Sequence, residues 1–228
     1  MLDVQKNMKK KYYLIILLLL ALTSFTITDV FYKKTYVYKN ITGNTETTNT
    51  LLMKKKKDDY SITETSDLGI TNSVYSFKYV LKEMHVQSAK EDSDYKFTIN
   101  KRKLSLKGRA FGRKIKREYT LADRWVQDFT FGLRPFLNSK RQNYSFVILS
   151  PNDFTTNELI ASKDGIEKIK IGDTTYNTQR VKITLPGFKS MFWKADAWYD
   201  LGTFDLVKYR ANKGPGTPMS TLVLDSKK

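Results

Sequence analysis

The chain has no cysteine and a single histidine among 228 residues. Without thiols it is not a disulfide-stapled mini-protein, a zinc ribbon, an iron–sulfur protein, a thiol-nucleophile enzyme or a lipoprotein acylated on its own cysteine. Serine–histidine catalysis has only His85 to recruit. The alternation of Leu81, Glu83 and His85 puts that residue near the end of a strand, where it reads as an ordinary strand histidine. Nitrogen and sulfur ligands for a metal do not cluster. Glu91-Asp92-Ser93-Asp94 lacks the glycine and terminal glutamate of a calcium loop and reads as a solvated hairpin tip. Gly214-Pro215-Gly216 is a rigid turn, not a phosphate cradle, because proline removes one of the N–H donors such a loop needs. Internal repeats, low-complexity linkers and composition shifts are missing too, so a single folded body is expected after the N-terminus. No RNP strand, zinc-finger spacing or helix-turn-helix pattern points to nucleic acid. The sequence implies no catalytic residue, no metal and no cofactor.

What is present begins with a leader. Lys9, Lys10 and Lys11 precede Tyr12 and Tyr13 and then an apolar run from Leu14 to Leu22 that includes four consecutive leucines. From Tyr12 to Ile27 a helix at about 1.5 Å per residue spans roughly 24 Å, short of the roughly 30 Å hydrocarbon slab. Residues 1–28 therefore read as a signal peptide or a membrane anchor, with Met8 as an alternative start. Either outcome delivers residues 29–228 to the periplasm or cell envelope.

Lys and Arg number 40 against 23 Asp and Glu, a net charge of +17, and the chain stays strongly basic without its leader. The densest stretch holds Lys101, Arg102, Lys103, Arg113, Lys114, Lys116 and Arg117, with no acid between; a second is Lys54 to Lys57. These side chains suit peripheral contact with an anionic membrane or an envelope polymer, or simply form a solvated face.

With 40% apolar and 13% aromatic residues the chain has ample material for a core. Beyond residue 28 the apolar period is two, the mark of half-buried antiparallel strands. Tyr75, Phe77, Tyr79 and Leu81 form one series, Tyr95, Phe97 and Ile99 another, continued by Leu104 and Leu106, and Val181, Ile183 and Leu185 a third. Further strands are expected over 30–39, 59–65, 144–149, 167–171, 191–199, 204–210 and 219–224, about ten in all and joined as a meander. One segment departs from the rhythm. Trp125, Phe129, Leu133, Phe136 and Leu137 recur every three to four residues behind Asp123, a candidate N-cap, which predicts a short helical insert kinked or ended by Pro135 and laid over the concave side of the sheet.

Residues 144–224 carry the most specific pattern. Trp198-Tyr199-Asp200-Leu201-Gly202-Thr203 is an aromatic strand end followed by an Asp-x-Gly turn in which Gly202 can take positive φ, and Phe204-Asp205-Leu206-Val207-Lys208-Tyr209 is the returning strand. With Ile169 to Tyr176 and Arg180 to Ile183 before it and Gly214 to Pro218 after it, this stretch resembles a group of exported bacterial proteins related to the lipoprotein-localisation carriers. The resemblance implies a mostly β fold: a single curved antiparallel sheet, an unclosed half-barrel with a short helical plug. It also implies an apolar groove for a lipid, an acyl chain or a lipidated protein, with Trp125, Phe129, Leu133, Phe136, Trp193 and Trp198 as expected lining. Two alternatives remain at this stage: a structural or adaptor protein of the envelope working through a sheet edge and the basic clusters, and an enzyme on a cell-wall polymer, which needs acidic residues converging in a cleft.

Overall fold

In a computed structural model the described residues are 32–121, 124–212 and 217–228. The expected leader of residues 1–28, the candidate N-cap Asp123 and the turn expected at Gly214-Pro215-Gly216 lie outside them. Fourteen strands form one antiparallel sheet in the order β8-β7-β6-β5-β4-β3-β2-β1-β14-β13-β12-β11-β10-β9. The first meander comprises β1 (Tyr32–Thr42), β2 (Thr45–Lys55), β3 (Asp59–Ser66), β4 (Gly69–Ser76), β5 (Leu81–Ser88), β6 (Ser93–Asn100), β7 (Lys103–Ala110) and β8 (Arg113–Thr120). The second comprises β9 (Asn143–Leu149), β10 (Thr156–Ile171), β11 (Thr174–Thr184), β12 (Lys194–Asp200), β13 (Leu206–Asn212) and β14 (Met219–Lys227). The two are joined where β14 pairs with β1, Tyr38 opposite Leu224. The sheet does not close: β8 and β9 are its two edges.

The two-residue rhythm puts one face of each strand inside. Tyr95 and Phe97 on β6, Leu104 and Leu106 on β7, and Val181 and Ile183 on β11 are buried, as the sequence predicts. The two meanders fill the interior differently. In the first the inward positions are bulky, with Tyr36, Tyr38, Tyr75, Tyr95 and Phe97 filling their own space. In the second they are small, with Ala161, Ala195, Ala197 and Ala211 beside Val181 and Ile183. The room left over small residues is where the segment between β8 and β9 docks, burying Val126, Leu133, Phe136 and Leu137.

That plug is less helical than its spacing predicts. Only α1 (Arg134–Leu137) is α-helical, and Trp125 instead makes a parallel bridge with Val147, extending the β9 edge. Pro135 sits in the first turn of α1, where its missing N–H has no partner to lose, so proline starts the helix and does not end it. Before α1 the chain turns on Asp128, whose carboxylate accepts from the N–H groups of Thr130 and Phe131 at 2.8 and 3.0 Å. Gly132 is required there: a Cβ would stand 2.6 Å from the Asp128 carbonyl oxygen.

Other boundaries shift for identifiable reasons. The Tyr75 to Leu81 series straddles a hairpin, with Tyr75 opposite Leu81, Tyr79 at φ 57°, and Phe77 and Val80 exposed. The turn contains neither glycine nor proline, so alternation ran through it. β10 runs 16 residues, with a register shift between Lys163 and Ile166 that concealed its first half. Residues Gly187–Met191 form a 3-10 turn, and the strand expected from 191 begins at Lys194. In the 201–205 turn it is Phe204, not Gly202, that takes positive φ; the Asp200 carboxylate holds the turn by accepting from the N–H groups of Gly202 and Thr203.

Candidate functional site

Strand direction divides the connections between two ends of the sheet. The lower end holds the turns at 56–58, 77–80, 101–102, 172–173 and 201–205; the upper end holds those at 43–44, 67–68, 89–92, 111–112, 150–155 and 185–193. The plug crosses between them and leaves a hollow on each side.

The upper hollow is a cleft of about 390 Å³ between β3–β6, β13–β14 and plug residues 127–130. Met84, Val86, Phe97, Phe129, Leu206 and Leu222 supply apolar wall, and Glu64, Asp128, Gln127 and Tyr209 supply polar groups. The plug wall is pinned: Gln127 exchanges two hydrogen bonds with the Leu149 backbone, Tyr199 donates its hydroxyl to the Phe129 carbonyl at 2.7 Å, and Tyr75 donates to Asp128 at 3.1 Å. Burial, reinforced by the negative Asp128, raises the Glu64 carboxyl above its ordinary value despite a hydrogen bond from Asn49.

The lower hollow, also about 390 Å³, is lined by Tyr32, Lys34, Tyr36, Met53, Lys55, Tyr60, Tyr79, Arg134, Thr203 and Asp205. Asp205 is 1% exposed and fully engaged. One oxygen accepts from Tyr36 at 2.8 Å and from Arg134 at 2.7 Å; the other accepts from Lys34 at 2.7 Å and from Lys227 at 3.3 Å. Burial opposes the charge, but Lys34, Arg134 and Tyr36 outweigh it and hold the carboxyl at about 2.

The six residues expected to line one groove are distributed instead. Phe129 faces the upper cleft. Leu133 and Phe136 are plug core, Phe136 stacking on Tyr144 at 5.5 Å. Trp193 donates to the Asn212 carbonyl and packs on the second core cluster. Trp198 lies on the opposite face of β12 from Ala195, Ala197 and Tyr199, between Arg180 and Lys208, whose cations stand 5.5 and 5.0 Å from its ring. Counting alternation from Ala195 and Ala197 points to Tyr199 as the inward aromatic. Trp125 lines a separate cleft of about 200 Å³ at the lower end with Lys101 and Arg102.

The basic cluster is divided as well. Lys101 and Arg102 form the lower β6–β7 turn and Lys103 starts β7, whereas Arg113 and Lys114 start β8 at the upper end, one strand length away. Lys116 stands opposite Lys107, which stands opposite Lys96, and Lys114 stands opposite Arg109, giving cation rows on the outer face. Arg117 turns inward, donating to the Asp153 carbonyl, and with Tyr119, which donates to the Phe154 carbonyl, it ties the β8 edge to the loop after β9. Among the described residues no three His, Asp or Glu side chains converge as a metal site.

No protein-family model matches the chain, and no curated protein matches it in sequence. Its fold is found in a solved structure. A beta-barrel-like protein of the domain of unknown function DUF1849 from Brucella abortus matches with a TM-score of 0.62 at 6% identity, covering 89% of this chain and 98% of that one. The hypothetical lipoprotein YmcC from Escherichia coli gives a TM-score of 0.39 at 13% identity, covering 90% of this chain and 92% of that one. A LolA superfamily protein from Nitrosomonas europaea gives 0.27 at 9% identity, covering 89% and 87%. The expected unclosed antiparallel half-barrel is the observed architecture.

Sequence reasoning missed Glu64, Asp128, Arg134, Lys34 and Asp205. Glu64 carried a signal, since it shares the alternation of the buried Ile62. Lys34 and Asp205 are 171 residues apart and carried none.

Proposed function

We propose that the chain is a non-enzymatic envelope protein that holds a lipid, an acyl chain or the lipid of a lipidated partner in the upper cleft, against Phe129. The cleft itself carries this reading. Its volume falls within the range of small-molecule sites, and its apolar wall with a few polar groups is the composition such sites have. The upper rim adds support, because exposed large apolar side chains gather there: Leu68, Phe111, Phe188, Met191, Phe192 and Met219. Phe188 and Met191 are 73% and 80% exposed beside Lys189, a combination suited to the membrane interface. Arg113 and Lys114 on the same rim suit anionic headgroups, with Lys116 and Arg117 following them along β8 and Lys101, Arg102 and Lys103 serving the opposite end. Export by residues 1–28 belongs to the same reading.

Native mass spectrometry of the purified full chain tests it. Phospholipid adducts are expected on the wild type and are expected to vanish in a folded Val86→Trp variant, whose indole fills the cleft. A wild type that carries no lipid and acquires none from vesicles overturns the reading.

An adaptor role rests on Lys107 and Lys116, like charges directly opposite one another and unfavourable until an anionic partner covers them, whereas Lys96 and Arg109 in the same rows already pair with Glu83 and Asp92. In-cell crosslinking from Lys107 or Lys116 to one protein, with no lipid retained, favours it.

A further inference from the structure

The lower hollow is built differently from anything the lipid reading needs. Three cationic side chains, Lys34, Lys55 and Arg134, line it against one carboxylate, Asp205. That carboxylate is saturated by four donors and neutralises one charge, while Lys227 adds a further cation to the same oxygen as Lys34. Arg134 is the informative member. Its side chain is 8% exposed, its Nη2 donates to Asp205, its Nη1 donates to the neutral Tyr79 hydroxyl at 3.2 Å, and its guanidinium lies over the Tyr79 and Phe131 rings at 5.0 and 4.9 Å, with Nε sealed from the hollow. A buried guanidinium among surplus lysines is costly unless negative charge beyond that of Asp205 offsets it.

We propose that this hollow is an oxyanion site, taking the phosphate of a phosphomonoester between Arg134, Lys34 and Lys55. The protein supplies both the charge and the donors. Guanidinium and ammonium groups bind phosphate oxygens through charge-assisted hydrogen bonds, with the guanidinium setting direction and the lysines acting as point charges. Tyr36 already gives its hydroxyl to Asp205, and Tyr60 stacks on Tyr79 with centroids 4.7 Å apart, forming a flat wall. The Lys55 ammonium stands 5.9 Å from the centroid of the Tyr60 ring. Asp205 positions the cations: without it Lys34 and Arg134 would repel one another, and with it they face the hollow at fixed spacing. A second carboxylate is missing from the lining, so the site rejects cations and favours anions. It lies across the plug from the lipid cleft, and its test is independent of lipid retention.

Calorimetric titration of the full chain with glycerol phosphate and with inorganic phosphate, at constant ionic strength, reads the site. Saturable binding is expected in the wild type. Arg134→Lys keeps the charge but loses the planar fork, and is expected to weaken binding about tenfold. Lys55→Met, which disturbs no ion pair of Asp205, is expected to weaken it severalfold, and Lys168→Met, at an exposed position of β10, is expected to leave it unchanged. Should Arg134→Lys fail to fold, Lys55→Met carries the test alone. Absence of saturable binding overturns the proposal; so does binding that Lys55→Met and Arg134→Lys leave intact. Vesicles of phosphatidic acid in phosphatidylcholine identify the source. Retention that glycerol phosphate competes away, and that Arg134→Lys abolishes, supports the site and assigns the phosphate to a lipid headgroup. Glycerol phosphate binding without such retention supports the site and assigns it to a soluble phosphoester.

Discussion

The plug separates two hollows of equal volume and opposite chemistry. Each contains a carboxyl, half-buried in Glu64 and fully buried in Asp205, and the two are shifted in opposite directions. At the upper end Glu64 has an acid for a neighbour and an apolar wall, so its charge is disfavoured; at the lower end Asp205 has four donors, so its charge is held. A carboxyl's environment within one sheet thus depends less on depth than on which side chains the plug brings across. Arg134 is the residue that makes the difference, because α1 directs it to the lower side while Phe129, five residues earlier, faces the upper one.

The sharpest way to break that contrast is Asp205→Asn. It leaves Lys34 and Arg134 buried without a counter-charge and is expected to cost about 3–5 kcal/mol in urea unfolding. A cost within the range of surface substitutions would mean that the lower hollow is wetter than its burial indicates. Next comes the partition itself. Phe131 is 1% exposed and packs on Tyr36 and Tyr75, so Phe131→Ala is expected to lose about 3 kcal/mol and to let a solvent probe pass between the hollows. Third is the acid limb. The folded Asp205 carboxyl, at about 2, lies below its unfolded value, so its stabilisation is complete above about pH 4 and is lost as pH falls through 2. That contribution is about 2 kcal/mol, and an acid unfolding curve of Asp205→Asn should lack it. Glu64 runs the other way: its raised value favours the folded state at acid pH and loses that advantage as pH rises through the folded value. Glu64→Gln is therefore expected to be neutral or stabilising at pH 7 and to flatten the pH dependence of unfolding. The smallest effect on stability belongs to the rim. Phe188→Ser is expected to change stability by less than about 0.5 kcal/mol while reducing flotation with anionic vesicles.

Architecture was more legible than the site because the two rest on different signals. Alternation at Tyr95, Phe97, Leu104, Leu106, Val181 and Ile183 reports a local property, which face of a strand is dry, and it held. It failed where a turn preserved the rhythm, as between Tyr75 and Leu81, or where a bulge interrupted it, as in β10. The plug was located correctly and its short helix is there as Arg134–Leu137, but the helical spacing begins nine residues earlier, since a chain of successive turns also returns apolar side chains to one face every three or four residues. Trp193 and Trp198 were grouped by kind, when Trp193 precedes β12 and parity along β12 turns Trp198 to the face opposite Ala195, Ala197 and Tyr199. The Lys34–Asp205–Arg134 cluster joins residues from β1, the plug and the approach to β13, and nothing local marks any of them.

The centre of the sheet has an origin unlike its flanks. Each hairpin assembles from neighbours in the chain, but β1 waits for β14, which is made from residues about 180 positions further along. Two half-sheets can therefore form early and remain separate, each exposing an unpaired edge where the seam will be, until the fourteenth strand arrives to weld them. A truncation after Asn212, which removes β14 alone, should leave the two half-sheets unjoined and prone to aggregate through those edges.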